Sequence, residues 1–134
     1  EGRNLYPASQ DDINRLKSIY GQLPRAYEEF LIFMGAGTSG GLFPGASCYI
    51  DELFELNEWA RELLSDNNSI VTLKKDDFVF WMSQGCMFCF FNTKAGENPP
   101  IYFYTETKPN HLRKISSSFS RFLITCYYHP EKLL

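Results

Sequence analysis

The spacing of apolar residues predicts helices near both ends of the chain and strands between them. In the first half, apolar residues recur every three or four positions, which is the period of an amphipathic helix. Helices are therefore predicted over residues 9–21, 24–35 and 51–66. Ser9 is the predicted N-cap of the first helix, and Gly21 and Gly35 are predicted stops.

The pattern changes after residue 69 to short runs of β-branched and aromatic residues, which are typical of strands. Strands are predicted at 70–73, 78–82, 86–91 and 101–104. A last helix follows, with an apolar face made of Ile115, Phe119, Phe122, Leu123 and Cys126. This order predicts an α+β fold in which an antiparallel meander packs with helices from the N-terminus, the middle and the C-terminus. We expect residues 1–134 to form a single domain.

Composition narrows the class of protein. The chain has 134 residues, 44% hydrophobic and 22% charged, which indicates a globular domain. No apolar run approaches the roughly 18 residues needed to cross a bilayer, so no membrane association is expected. Four cysteines are too few for a disulfide scaffold of this size, which favours a cytoplasmic location. The net charge of −3 argues against nucleic acid as the main partner.

The charge is unevenly distributed along the chain. Residues 51–66 contain six acids and one arginine, a local charge of −5. Residues 107–134 contain five bases and one acid, a local charge of +4. The sequence therefore predicts one acidic and one basic region.

Two short motifs suggest chemistry that their context does not support. Cys86 and Cys89 have the C-x-x-C spacing of metal and redox sites, but they fall in a predicted strand, where residues three apart point to opposite faces. The stretch 35–40 reads G-x-G-x-x-G, yet it follows a helix rather than a strand, unlike a phosphate-binding loop. We interpret the first as a strand and the second as a helix stop with a loop.

No residue pattern indicates an active site. The serines at 116–118 lack the G-x-S-x-G context of a nucleophile, and the adjacent acids at 28–29, 51–52 and 76–77 diverge rather than converge. The two histidines, His111 and His129, have no ligand spacing between them. We therefore expect no enzymatic activity, no catalytic residue, no metal and no cofactor.

The third predicted helix carries the strongest candidate for a binding surface. Its acids recur at three- or four-residue steps on the side opposite the apolar residues, at Asp51, Glu55, Glu58, Glu62 and Asp66. A merely solvated face is one interpretation, and a surface for a basic partner is the other. Phe54 lies off the apolar stripe, so either it contacts a partner or the helix is broken before Leu56. The candidate partner-binding residues are Asp51, Phe54, Glu55, Glu58 and Glu62, with Trp59 and Trp81 as further aromatic candidates and Trp81 expected in the core.

Several motifs together resemble one protein family. "LPRAYEEFLIFMGAG" resembles the LP-x-x-Y-x-x-F-L helix and glycine turn of the SUKH superfamily. "DDFVFWMSQGCMFCFFNTKAGENPPIYFYTET" is similar to its aromatic hairpin and edge strand, and "ISSSFSRFL" to its closing helix. The resemblance covers residues 11–126.

The resemblance implies an α+β fold whose shared motifs are structural rather than catalytic. Many bacterial members of the superfamily are immunity proteins that bind and neutralise a cognate toxin, often a nuclease, and fungal relatives regulate cell-wall synthesis. The expected function is therefore that of an immunity protein with a basic toxin domain as its partner. The alternative is a regulatory or scaffold domain that binds a protein but no toxin.

Overall fold

The computed structural model describes residues 5–38 and 46–129, in which four helices pack with a five-stranded antiparallel sheet. The helices are α1 (Gln10–Tyr20), α2 (Arg25–Met34), α3 (Ile50–Asp66) and α4 (Phe119–Tyr128). β1 (Leu5–Tyr6) and β2 (Gly37–Thr38) form a separate, two-stranded antiparallel sheet. The sheet contains β3 (Ala46–Ser47), β4 (Asp77–Ser83), β5 (Met87–Asn92), β6 (Ile101–Thr105) and β7 (Arg113–Ser116). The α+β prediction is confirmed.

The sheet is a meander with two distinct faces. Its strands lie in chain order from β3 to β7, and every neighbouring pair is antiparallel. Phe78 of β4 lies opposite Phe91 of β5, whereas the adjacent Val79 lies opposite Phe90. Residues directly opposite each other share a face, and successive residues alternate, so these two pairs mark the two faces.

Tyr27 of α2 is the centre of the aromatic core on the first face. Its ring centroid lies 5.1 Å from that of Phe91, 5.3 Å from that of Phe119 and 5.5 Å from that of Phe78. These rings meet edge to face, the arrangement that aromatic quadrupoles prefer. The cluster therefore joins α2, α4 and the adjacent strands β4 and β5.

The second face is covered by the end of α3 and the segment that follows it. Phe88 stacks on Tyr104 at a centroid distance of 5.0 Å. Asn67, at the C-terminal end of α3, donates a hydrogen bond to the Tyr104 hydroxyl at 3.1 Å. Because both faces are covered, β4 and β5 are buried along most of their length, as their nearly continuous apolar sequence indicates.

The β5–β6 loop caps two helices. The Glu97 carboxylate accepts a hydrogen bond from the Arg25 N–H at the start of α2, at 2.9 Å. Next to it, Asn98 Oδ1 accepts from the Ser120 N–H at the start of α4, at 3.0 Å. Pro24, the N-cap of α2, has no side-chain cap of its own, so Glu97 supplies it from a distant part of the chain.

Some predicted elements differ from the structure. The strand predicted at 70–73 is wrong: this stretch is irregular, Ile70 is 79% exposed, and its backbone N–H donates to Asn110 rather than to a strand. Ile115 belongs to β7 rather than to the last helix, because the N-cap of α4 is Ser118 and the helix begins at the next residue. β7 itself was missed because its sequence, Arg-Lys-Ile-Ser, is short and half polar.

The two long-range caps should contribute to stability. Glu97→Ala and Asn98→Ala should each lower the free energy of unfolding by about 1 kcal/mol, because each leaves a helix N–H without its acceptor. Urea denaturation measures this. Lys94→Ala in the same loop is the control and should change stability by less than about 0.5 kcal/mol. Equal stabilities for all three variants would show that the caps contribute nothing.

Candidate partner-binding surface

Asn57 fixes the orientation of α3 against the sheet. Its buried side-chain amide accepts a hydrogen bond from the Val79 N–H at 2.7 Å and donates to the Val79 carbonyl at 3.2 Å. β3 pairs only with Met82 and Ser83, so it does not reach Val79. The amide therefore replaces a neighbouring strand at this edge of β4, beside the irregularity between Val79 and Trp81. The role of Asn57 was not predicted from the sequence, since a polar residue beside an apolar stripe gives no sign that it is buried.

The acidic face of α3 is exposed to solvent. Asp51, Glu55, Glu58 and Glu62 are all exposed, and together with Asp66 they occupy an arc of about 80° around the helix axis. We call these five residues the acidic stripe. In the described part of the chain, the one salt bridge is Lys17–Glu28, so no carboxylate of the stripe is paired.

Phe54 borders the acidic stripe on one side. The helix is continuous from Ile50 to Asp66, so the alternative of a break before Leu56 is wrong. The Phe54 ring is half-buried, and the Arg15 guanidinium carbon lies 4.0 Å from its centroid. Phe54 therefore packs under a cation of α1 and keeps part of its surface accessible.

Trp59 borders the stripe on the other side and is 42% exposed. A shallow cavity of about 310 Å³ lies beside it, lined by Trp59, Glu62, Leu63, Asp66, Met82 and Gly85. Such a cavity can accept the aliphatic part of a lysine or arginine against the indole while the carboxylates bind its charged end. Trp81, the other candidate, is buried in the core, as the sequence predicts.

The cysteines are not arranged as a reactive or metal-binding site in the described residues. Cys86 lies in the turn before β5, so the prediction that it belongs to the strand is wrong, whereas Cys89 lies within β5. Cys48, Cys89 and Cys126 are buried free thiols, and burial raises the pKa of each, for Cys126 to about 12. No group of three potential metal ligands occurs in residues 5–38 and 46–129.

The glycine motif begins as a helix stop. Gly35 follows the last residue of α2, and a side chain there would place Cβ 2.7 Å from the Leu31 carbonyl oxygen and 2.9 Å from the Ala8 Cβ. A larger residue therefore cannot be accommodated without moving backbone. Residues 39 and 40, which complete the motif, lie outside the described residues.

Residues 7–125 match the family model of the SMI1/KNR4 family (SUKH-1). The chain belongs to this family. The recognisable SUKH motifs are core residues in the structure: Tyr27, Phe30 and Leu31 in α2, and Phe119 and Phe122 in α4. No curated protein matches the chain. Among the helices described, none is long and apolar enough to cross a membrane.

The hydrogen bonds of Asn57 can be tested by substitution. Asn57→Ala should lower the free energy of unfolding by about 2–4 kcal/mol, because it leaves the buried N–H and carbonyl of Val79 without partners. Chemical denaturation of Asn14→Ala, an exposed asparagine of α1, provides the control and should show a loss below about 1 kcal/mol. A loss no larger than the control would contradict the role of Asn57.

The buried thiols should make stability depend on pH under alkaline conditions. Unfolded cysteines ionise near pH 9, whereas burial raises the pKa of all three folded thiols, that of Cys126 to about 12. Their contribution is therefore fully present below pH 9 and is lost as the pH rises toward 12. Each thiol contributes a slope of up to about 1.4 kcal/mol per pH unit.

The measurement is urea denaturation between pH 8 and pH 10.5. The control is the variant Cys48→Ala/Cys89→Ala/Cys126→Ala, in which the loss of stability with rising pH should be shallower than in the native chain. The same slope in both proteins would show that the thiols are not responsible.

Proposed function

We propose that this SUKH-1 chain is a non-catalytic immunity protein that acts in the cytoplasm by binding and neutralising a basic toxin, with the acidic stripe of α3 as its binding surface. The immunity role comes from the family, in which it is common among bacterial members. The observation that carries the choice of surface is the run of unpaired carboxylates along one exposed helix face.

The stripe has an energetic cost in the free protein. Like charges three or four residues apart destabilise a helix by about 0.2–0.5 kcal/mol per pair, so the four successive pairs cost about 1–2 kcal/mol. Glu62 and Asp66 lie near the C-terminal end of α3, where the helix dipole also disfavours negative charge. A cationic partner converts this repulsion into attraction on binding.

The charge and shape of the surface suit a toxin that acts on nucleic acid. Such a protein contacts phosphates through lysine and arginine, and the carboxylates of α3 compete for those side chains. Complementary charge accelerates association. The cavity beside Trp59 and the accessible part of Phe54 bury apolar surface in the complex and slow dissociation.

The test is co-expression of this chain with the product of its neighbouring gene, scored by growth. Rescue from a lethal neighbour supports the immunity role. A neighbour that is harmless when expressed alone contradicts it and favours a regulatory or scaffold domain.

Removing charge from the stripe should weaken that rescue. Glu55→Gln/Glu58→Gln/Glu62→Gln should slow association with the toxin by about tenfold at low salt and flatten the salt dependence, because the steering charge is lost. Stopped-flow fluorescence at several salt concentrations measures this. Asp11→Asn/Glu29→Gln/Glu106→Gln changes the net charge equally at exposed sites outside the stripe and should have a much smaller effect. Equal effects of the two triple variants would exclude the stripe as the binding surface.

A further inference from the structure

A second concave surface lies at the other end of the sheet, where no residue of α3 contributes. This groove has a volume of about 990 Å³. Its floor is formed by Met87, Phe103 and Thr105, and its wall by residues 108–114, which connect β6 to β7 and begin β7. We call it the basic groove.

The charges that line the basic groove are all of one sign. Lys108, Arg113 and Lys114 are exposed, His111 lies between them in sequence, and no aspartate or glutamate lines the groove. None of these cations forms a salt bridge within the described ranges. The Arg113 guanidinium carbon lies 5.3 Å from the centroid of the Phe103 ring, so the charge is held over an apolar floor.

The wall of the groove is held in place by the chain that follows α3. The Ser69 hydroxyl donates a hydrogen bond to the Pro109 carbonyl, and the Ile70 N–H donates to Asn110 Oδ1 at 3.1 Å. Within the loop, the His111 N–H donates to the Lys108 carbonyl. The groove is therefore largely preformed, which reduces the entropy lost on binding.

The basic groove continues into a free strand edge. β7 is the last strand of the sheet, and no strand pairs with its outer side in the part of the chain that the structure describes. Every second residue of such a strand directs its N–H and carbonyl away from the sheet. Arg113 and Lys114 are at once the first residues of this edge and part of the groove wall.

We infer that the basic groove binds an extended acidic segment of a second protein, which continues as an added strand along β7. Acidic side chains of that segment pair with Lys108, Arg113 and Lys114, and an apolar side chain contacts Met87. The free backbone of β7 supplies the main-chain hydrogen bonds of strand addition. The apolar floor and the strand edge favour a peptide over a nucleic acid, whose phosphates need neither.

The experiment selects peptides from a phage-displayed library of random 12-residue sequences on the intact chain. The strongest binder is then synthesised with a fluorescent label and its affinity measured by anisotropy. Selected peptides should be enriched in aspartate and glutamate, and their affinity should fall with salt. Amides of β7 that face away from β6 should exchange with deuterium more slowly in the complex.

Two charge-reversal variants locate the binding site. Lys108→Glu/Arg113→Glu/Lys114→Glu should lower the affinity for the selected peptide by at least about tenfold. Lys74→Glu/Lys75→Glu/Lys94→Glu introduces the same change in net charge at exposed lysines outside the groove. It should lower the affinity for the peptide by less than about threefold. Thermal unfolding confirms that both variants fold.

The results that would contradict this inference differ from those that would contradict the proposed function. Peptides without acidic enrichment, equal weakening by both variants, or unchanged exchange of the β7 amides would each contradict it. Tighter binding of a 12-nucleotide single strand than of any selected peptide would assign the groove to phosphate instead. Glu55→Gln/Glu58→Gln/Glu62→Gln should bind the peptide normally, so failure of the toxin-binding surface leaves this test intact.

Discussion

The paired hydrogen bonds between the Asn57 side chain and the Val79 backbone determine which side of α3 faces the sheet. A helix turns by about 100° per residue, so a rotation by one position would bury part of the acidic stripe and expose leucines. The amide prevents that rotation because, among the described residues, Val79 has a neighbouring strand only on its β5 side. Its N–H and carbonyl, which bond to Asn57, would otherwise be left unpaired in the interior. Stability and the candidate binding surface thus depend on the same contact.

The opposite charges of the two halves of the sequence become two separate surfaces. The acidic stripe occupies α3, and the basic groove occupies the far edge of the sheet. The segment after α3 connects them, since Asn67 bonds to Tyr104 and Ser69 and Ile70 hold the groove wall. A small net charge therefore coexists with strong local fields, which are what a binding partner encounters.

Periodicity was enough to predict α1, α2, α3 and the three long strands, because each has an apolar pattern of sufficient length. It also placed the exposed carboxylates of α3. It could not predict contacts between residues distant in sequence. Examples are the packing of Arg15 over the Phe54 ring, the hydrogen bonds of Asn57 to Val79 and the capping of α2 by Glu97. For the basic groove, the sequence likewise indicated only an excess of basic residues near the C-terminus. The floor of the groove comes from β5 and β6, which are distant from those residues in sequence.

The most direct test of α3 as the binding surface is carboxyl footprinting of the chain, free and bound to the proposed toxin. A water-soluble carbodiimide labels accessible carboxylates, and mass spectrometry reports each site. If α3 binds the proposed toxin, Glu55, Glu58 and Glu62 are labelled in the free protein and protected in the complex, while Glu29 and Glu106 are labelled in both. Unchanged labelling of the stripe, with protection elsewhere, would contradict α3 as the toxin-binding surface.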